Sequence, residues 1–221
     1  MSIKINSQKA ITLTHNYVKN NQQSEEGAHD YWHIYRVWKN AQLIGSSEDV
    51  DMTVVELAAL LHDIADSKFH NGDEEVGPKV AGEYLKSIGV EDGVIEHVTK
   101  IIRHMSFKGG NNQSPINSKE FQVVQDADRL DAIGAIGISR CFAFGGYFQR
   151  DIHNPDIEPK LNMTKEEYKK SKSTSLNHFY EKLFLLKDRM NTETGRRIAE
   201  KRDHFMHQFV DEFLNEWEGL A

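Results

Sequence analysis

The sequence predicts an all-α protein, and three observations carry that prediction. Apolar residues recur at mixed three- and four-residue spacing through almost every patterned segment. No segment shows the two-residue alternation of a half-buried strand. The composition, 38% hydrophobic and 28% charged with only 4 Pro and 15 Gly, is that of a helix-rich globular chain. At 221 residues the chain is long enough for one substantial core, so a single domain over residues 1–221 is expected.

A first helix is expected from Ile3 to Val18. A second runs from Tyr31 to Ile44, with Ile34, Val37, Trp38, Ala41 and Ile44 on one side. The third is the most apolar. Thr53 and Glu56 have the spacing of a capping box, and Val54, Val55, Leu57, Ala58, Leu60, Leu61 and Ile64 leave no polar face, which places it in the core. A fourth helix is expected from Asp73 to Ile88, stopped by Gly89, and a fifth from Asp92 to about His104. A loop, Ser-Phe-Lys-Gly-Gly-Asn-Asn-Gln-Ser-Pro, follows it. Asn117 with Glu120 caps a sixth helix carrying Phe121, Val123 and Val124 towards Asp126 and Asp128. Residues Ala132 to Gly146 are rich in Ala, Gly and Ile, which permits close helix approach, and Arg150 to Met163 read as a loop. Thr164 with Glu167 opens a last helical region, broken near Asn191 to Gly195 and ending at Gly219. The chemistry-bearing motifs lie at about 29–146, with the helices of about 164–219 packed on that region.

The formal net charge of -7 argues against a constitutive nucleic-acid binder, whose phosphate contacts need a surplus of Lys and Arg. Residues 51–100 hold eleven Asp or Glu against four Lys, so acid collects where a cation can offset it. The single cysteine, Cys141, excludes an intramolecular disulfide, fits a reducing compartment and reads as a small buried hydrophobe. No stretch approaches the ~18 apolar residues of a membrane span and the N-terminus lacks a signal core, so a cytoplasmic protein without a membrane partner is the simplest expectation.

The feature that demands explanation is His62-Asp63, an imidazole and a carboxylate in the most apolar helix. Burying both without partners costs several kcal/mol, on the order given for unpaired polar and charged groups. A divalent metal removes that penalty by taking imidazole nitrogen and carboxylate oxygen directly. Neighbouring helical residues point about 100° apart, so such an ion sits beside the helix and other helices complete its shell. His33 on the preceding helix and Asp128 in Val-Gln-Asp-Ala-Asp-Arg-Leu-Asp are the candidates for completing it. A hydrogen-bonded core pair is the alternative for His62-Asp63 taken alone.

The order His33, His62-Asp63, then Asp128 followed by Arg-Leu resembles the HD-domain phosphohydrolases. The stretches Ala-Leu-Leu-His-Asp-Ile-Ala-Asp-Ser-Lys-Phe, Ser-Phe-Lys-Gly-Gly, Gln-Asp-Ala-Asp-Arg-Leu-Asp-Ala-Ile-Gly-Ala-Ile-Gly and Met-Asn-Thr-Glu-Thr-Gly-Arg-Arg look like a bacterial stand-alone branch of that superfamily. The resemblance implies an HD-domain helical bundle and a metal held by His33, His62, Asp63 and Asp128. For that branch it also implies hydrolysis of nucleoside triphosphates to monophosphate and pyrophosphate.

Two nitrogens and two carboxylates suit Mn first, and also Fe, Co, Ni or Zn, with Mg less natural for imidazole. A six-coordinate ion with four protein ligands keeps two positions open, for water and a phosphate oxygen. Asp66, three residues after Asp63, is placed to orient or deprotonate the water; the matching place in alarmone-hydrolysing HD enzymes is also acidic. Its alternative is a terminal carboxylate paired with Lys68. Lys68 and Lys108 can neutralise phosphate oxygens, and His104, beside the Lys108 loop, can bind phosphate or donate a proton. His97 shares a face with His104 and could support a metal ligand or hold a second metal, or be plainly exposed. Arg36, Arg129 and Asp131 read as structural support, Asp131 pairing with one of the two arginines. Phe142, Phe144, Tyr147 and Phe148 read as helix packing before base stacking.

The expected partner is therefore a small-molecule nucleotide. Competing readings are a nucleotide phosphomonoesterase or (cyclic) nucleotide phosphodiesterase and, from another class, a non-catalytic metal-stabilised nucleotide-binding module. The apolar positions of the last helix can serve a homodimer as readily as the core.

Overall fold

A computed structural model describes residues 5–21, 31–65, 73, 75–105, 116–161, 163, 167 and 173–220. Among these every regular element is helical, so the all-α expectation holds. The described residues divide into two compact units, one comprising those up to Asp128 and the other those from Arg129 onward.

The first unit contains α1 (Ser7–Asn21), α2 (Tyr31–Gly45), α3 (Met52–Leu61), α4 (Val76–Ser87), α5 (Asp92–Met105) and most of α6 (Lys119–Asp131). Helix α3 is its centre and packs against α1, α2 and α5. Seven of its ten residues, Val54, Val55 and Leu57 to Leu61, are buried, as its unbroken apolar run predicts. Each fully buried Val or Leu contributes about 1.5–3 kcal/mol, so this helix cannot shift without large loss. Helix α2 turns His33, Ile34, Val37, Ala41 and Ile44 inward at helical spacing. Its outer aromatics form a chain in which Trp38 Nε1 donates to Glu56 at 2.8 Å.

That bond displaces a capping expectation. Glu56 accepts from Trp38 and from Gln42 Nε2, and the N-cap of α3 is Asp51, whose side chain accepts from Thr53 N. At α6, Ser118 rather than Asn117 takes the cap role, its Oγ accepting from Phe121 N, while Glu120 reaches the Asp51 amide. Helix α1 starts later than its apolar pattern suggests because Asn6 Oδ1 accepts from Lys9 N. Helix α4 stops where glycine was expected to stop it: Gly89 has φ +82, and Val90 N closes on the Leu85 carbonyl.

The second unit holds the last residues of α6, then α7 (Gly134–Tyr147), a π-helical turn (Phe179–Leu183), a 3-10 turn (Phe184–Arg189) and α8 (Glu193–Trp217). Helix α8 packs on α7 and on the 3-10 turn. Its predicted break is shorter than expected, since Thr192 caps it through the Gly195 amide and Gly195 is inside the helix. The expected opening at Thr164 lies outside the described residues. Phe142 packs with Phe179, Phe209 and Phe213 at centroid distances of 6.0, 5.8 and 6.4 Å, whereas Phe144, Tyr147 and Phe148 remain exposed. The packing expectation holds for Phe142 alone. Cys141 is largely shielded, as expected, and burial pushes its thiol up to about 12.

The small residues after α6 have a local cause. Gly134 has φ +76, and a Cβ there would lie 2.9 Å from Arg202 Cγ. A Cβ on Gly137 would lie 2.2 Å from the Ala132 carbonyl oxygen. What approaches closely is thus the turn joining α6 to α7.

His178 is half-buried in this unit. Burial first, then the Lys182 and Arg150 charges, pushes it from 6.5 down to about 3. The unfolded chain binds that proton more readily, so the contribution to stability is full above about pH 6.5 and is lost as pH falls towards 3. Thermal melts across that range should show a steeper acid loss for the native chain than for His178→Gln; equal slopes would refute the assignment. Among the described residues no helix is long and apolar enough to cross a membrane.

Candidate metal centre

Three elements of the first unit bring four side chains to one neighbourhood, with the two histidines at its centre. His33 comes from the buried face of α2, His62 and Asp63 from the end of α3, and Asp128 from α6. The expectation that His62-Asp63 lie within α3 needs correction. The last residue of α3 is Leu61, His62 is its C-cap, and Ile64 N closes a turn on the Leu61 carbonyl. The helix ends where two polar side chains must leave its apolar surface, and the turn lets both face one place.

His33 Nε2 and His62 Nε2 are 3.3 Å apart, their rings inclined at 68°. Asp63 Oδ2 is 3.5 Å from each of these nitrogens. Asp128 Oδ1 is 3.6 Å from His33 Nε2 and 4.0 Å from His62 Nε2. Both imidazoles are 3% exposed as side chains, against 21% for Asp63 and 37% for Asp128, so solvent reaches the group from the carboxylates. With metal bonds of about 2.1 Å, donor atoms lie about 3.0 Å apart when adjacent in an octahedron and about 4.2 Å when opposed. The observed separations fall between those limits.

The donor chemistry gives an independent test of fit. His62 Nδ1 is 2.9 Å from the Ala59 carbonyl oxygen, which can only accept, so Nδ1 donates. In the neutral ring Nε2 then presents a lone pair to a second imidazole nitrogen and to two carboxylate oxygens. A cation among these atoms would be met by the His62 lone pair and by carboxylate oxygens together. The residues fit a divalent ion: His33, His62 and Asp128 form a group that can hold one, with Asp63 within 3.5 Å of both histidines. The Ala59 carbonyl is a member of the site that residue types alone do not reveal; its only sequence signal is the three-residue spacing to His62.

Of the other candidates, His104 lies half-buried in the last turn of α5. There the Arg103 hydrogen bond first, with a further contribution from the His104 charge, holds the Glu75 carboxyl below its ordinary range. Asp66, Lys68 and Lys108 lie outside the described residues. His97 is bonded through Nε2 to Ser118 Oγ at 2.9 Å, with Glu120 Oε2 at 3.7 Å, which ties it to the start of α6. Asp131 has a partner the sequence reading did not name, Arg140 at 2.7 Å.

The HD domain family profile matches residues 31–133, a span that includes all four side chains. The protein YpgQ of Bacillus subtilis is 38% identical over 200 residues, covering 89% of this chain and 88% of YpgQ. A crystal structure of an HD-superfamily hydrolase from Bacillus thuringiensis superposes with a TM-score of 0.78 at 40% identity, covering 96% of this chain and 99% of that one. The crystal structure of Bacillus subtilis YpgQ in complex with ADP superposes with a TM-score of 0.74 at 33% identity, covering 96% and 100%.

Proposed function

The chain belongs to the HD-domain family of hydrolases, and from that premise we propose that it is a metal-dependent phosphohydrolase cleaving nucleoside or deoxynucleoside triphosphates to monophosphate and pyrophosphate. The observation that carries this reading is the convergence of His33 Nε2, His62 Nε2 and Asp128 Oδ1, with Asp63 Oδ2 3.5 Å from both imidazole nitrogens and the His62 tautomer set by Ala59. A nucleotide substrate is supported by the ADP bound to YpgQ. The triphosphate preference rests on the flanking motifs of the sequence.

In this reading His33, His62, Asp63 and Asp128 hold one divalent ion, with Mn the first choice. When bound, that ion supplies Lewis acidity to a phosphoryl oxygen and makes water a better nucleophile near neutral pH. The Ala59 carbonyl keeps the Nε2 lone pair of His62 available throughout. Asp66 orients the attacking water and takes its proton, Lys68 and Lys108 neutralise phosphate oxygens, and His104 contacts phosphate or donates a proton to the leaving group. Phosphoryl transfer asks chiefly for positioning and charge stabilisation, which this set can deliver without a covalent intermediate.

Purified protein supplied with Mn should be tested on ribo- and deoxynucleoside tri-, di- and monophosphates and cyclic dinucleotides, with pyrophosphate and orthophosphate assayed separately. Pyrophosphate released in step with monophosphate is the expected result. Orthophosphate alone would replace it with a phosphomonoesterase, and hydrolysis of cyclic dinucleotides alone with a phosphodiesterase. Nucleotide binding without turnover would identify a non-catalytic module.

A further inference from the structure

Asp128 is carried by a helix that the rest of its unit holds in place by few directional bonds. The inner face of α6 is buried through Phe121, Val123, Val124 and Ala127. Among the described residues, however, no other helix packs closely along its length, whereas α3 packs against α1, α2 and α5. Apolar burial resists the withdrawal of such a helix but is non-directional and leaves its rotation loosely set. Directional bonds must supply that. Around the start of α6, His97 Nε2 is 2.9 Å from Ser118 Oγ, and the Asp51 amide donates to Glu120 Oε1 at 3.1 Å. Near Asp128 a bond comes from α2, where Asn40 Nδ2 donates to the Ala127 carbonyl at 3.3 Å. That carbonyl belongs to the peptide unit joining Ala127 to Asp128. Ala127 is fully buried, so the lone pair left over from its helical bond is out of reach of bulk water, and Asn40 satisfies it.

Asn40 follows His33 by seven residues, two turns of α2, so the two side chains leave the helix within about 20° of one another. Helix α2 therefore meets α6 at two successive residues. His33 Nε2 is 3.6 Å from Asp128 Oδ1, and Asn40 holds the Ala127 carbonyl. The first contact joins two candidate ligands; the second fixes the backbone that carries one of them. Helix α2 is also bonded to α3, which leads into His62 and Asp63, because Trp38 Nε1 and Gln42 Nε2 both donate to Glu56 Oε2 at 2.8 Å. Side chains from one short stretch of α2 thus refer both other ligand-bearing elements to His33. Orientation matters at Asp128. A side-chain oxygen about 6 Å from a helix axis moves about 1 Å when the helix rotates by about 10°, and functional side chains must be held within about 0.5 Å. We propose that Asn40 is a positioning residue for the metal centre, its bond to the Ala127 carbonyl holding α6 in the rotation that brings Asp128 Oδ1 to the ion. The proposal rests on the reading of that centre given above.

Metal-free full-length protein should be titrated with Mn2+ by calorimetry, alongside the visible spectrum of the Co2+ form and the melting temperature without metal. Asn40→Leu keeps the size of the side chain and loses the donor. It should weaken Mn2+ binding about 10-fold, the lower end of the range for groups that support metal ligands, and shift the Co2+ bands. Asn40→Asp tests the sign of the effect. An added negative charge would tighten cation binding if Asn40 acted only through the local field, whereas a carboxylate cannot donate to a carbonyl, so weaker binding is expected. If Asn40→Leu does not fold, Asn40→Asp carries the same test. Ser118→Ala, which breaks a bond at the far end of α6, should lower the melting temperature and leave Mn2+ affinity within twofold of native. Native-like Mn2+ affinity with an unchanged Co2+ spectrum in Asn40→Leu, tighter binding by Asn40→Asp, or an equal loss in Ser118→Ala would each overturn the role of Asn40 alone. Failure of the native chain to bind Mn2+ or Co2+ overturns the metal centre and the role of Asn40 with it.

Discussion

Replacing Asp63 by alanine is expected to lower nucleotide hydrolysis by at least about 1000-fold while leaving the protein folded. Asp63 Oδ2 lies 3.5 Å from both imidazole nitrogens, so on the proposed reading its loss removes one ligand and one of two negative charges from the centre. Metal-ion catalysis contributes several kcal/mol, and each ~1.4 kcal/mol is a factor of ten in rate. The side chain is 21% exposed, and its truncation opens no sealed cavity. The melting temperature of the metal-free protein should therefore change little. Steady-state product release at saturating Mn, read beside a thermal melt, separates the two effects. Turnover within tenfold of the native rate would remove Asp63 from the ligand set, and Asp63→Asn should fail as badly as the alanine because it keeps shape and loses charge.

Gly137→Ala is expected to be among the most damaging single-methyl changes in the chain. The added Cβ would stand 2.2 Å from the Ala132 carbonyl oxygen and 2.5 Å from its carbon, both backbone atoms of the turn between α6 and α7. No side chain can swing aside, so the turn itself must move, at the upper end of overpacking costs, about 3 kcal/mol. For a chain of this size that lowers the melting temperature by about 6–12 °C. Gly146, in the same helix, has nothing within 4 Å of its Cβ position, so Gly146→Ala is the matched control. It should be neutral or raise stability by up to about 1 kcal/mol through helix propensity. Equal melting temperatures for the two variants would show that Gly137 does not pack against the turn.

What was legible in the sequence follows from the range over which each signal acts. The apolar run of α3 survives as far as Leu61 and the inward stripe of α2 survives without Trp38, because burial is written in residue type and period. Gly89 was readable as a stop because only a positive φ closes that turn cheaply. Capping was less legible. Thr53 and Glu56 have the spacing of a capping box, yet Glu56 is taken by Trp38 and Gln42, 18 and 14 residues away. The same limit hid the arginines around the end of α6, since Arg202 meets the Leu130 carbonyl 72 residues away. The four candidate ligands were identified because burying His62-Asp63 without a partner is too costly and because the surrounding motifs resemble a known family. Their geometry, including a helix that ends at Leu61 instead of continuing through the pair, came only from the structure.

That early end of α3 also has an electrostatic meaning. A helix finishes with carbonyls pointing outward and the equivalent of about half a negative charge at its last turn. His62 and Asp63 follow that end directly, and Asp128 lies three residues before the end of α6. The centre is thus flanked by the negative pole of α3 in addition to its carboxylates. The backbone itself favours positive charge there, and binding a cation relieves a repulsion that the folded chain otherwise carries. Part of the free energy of metal binding is in this way free energy of folding.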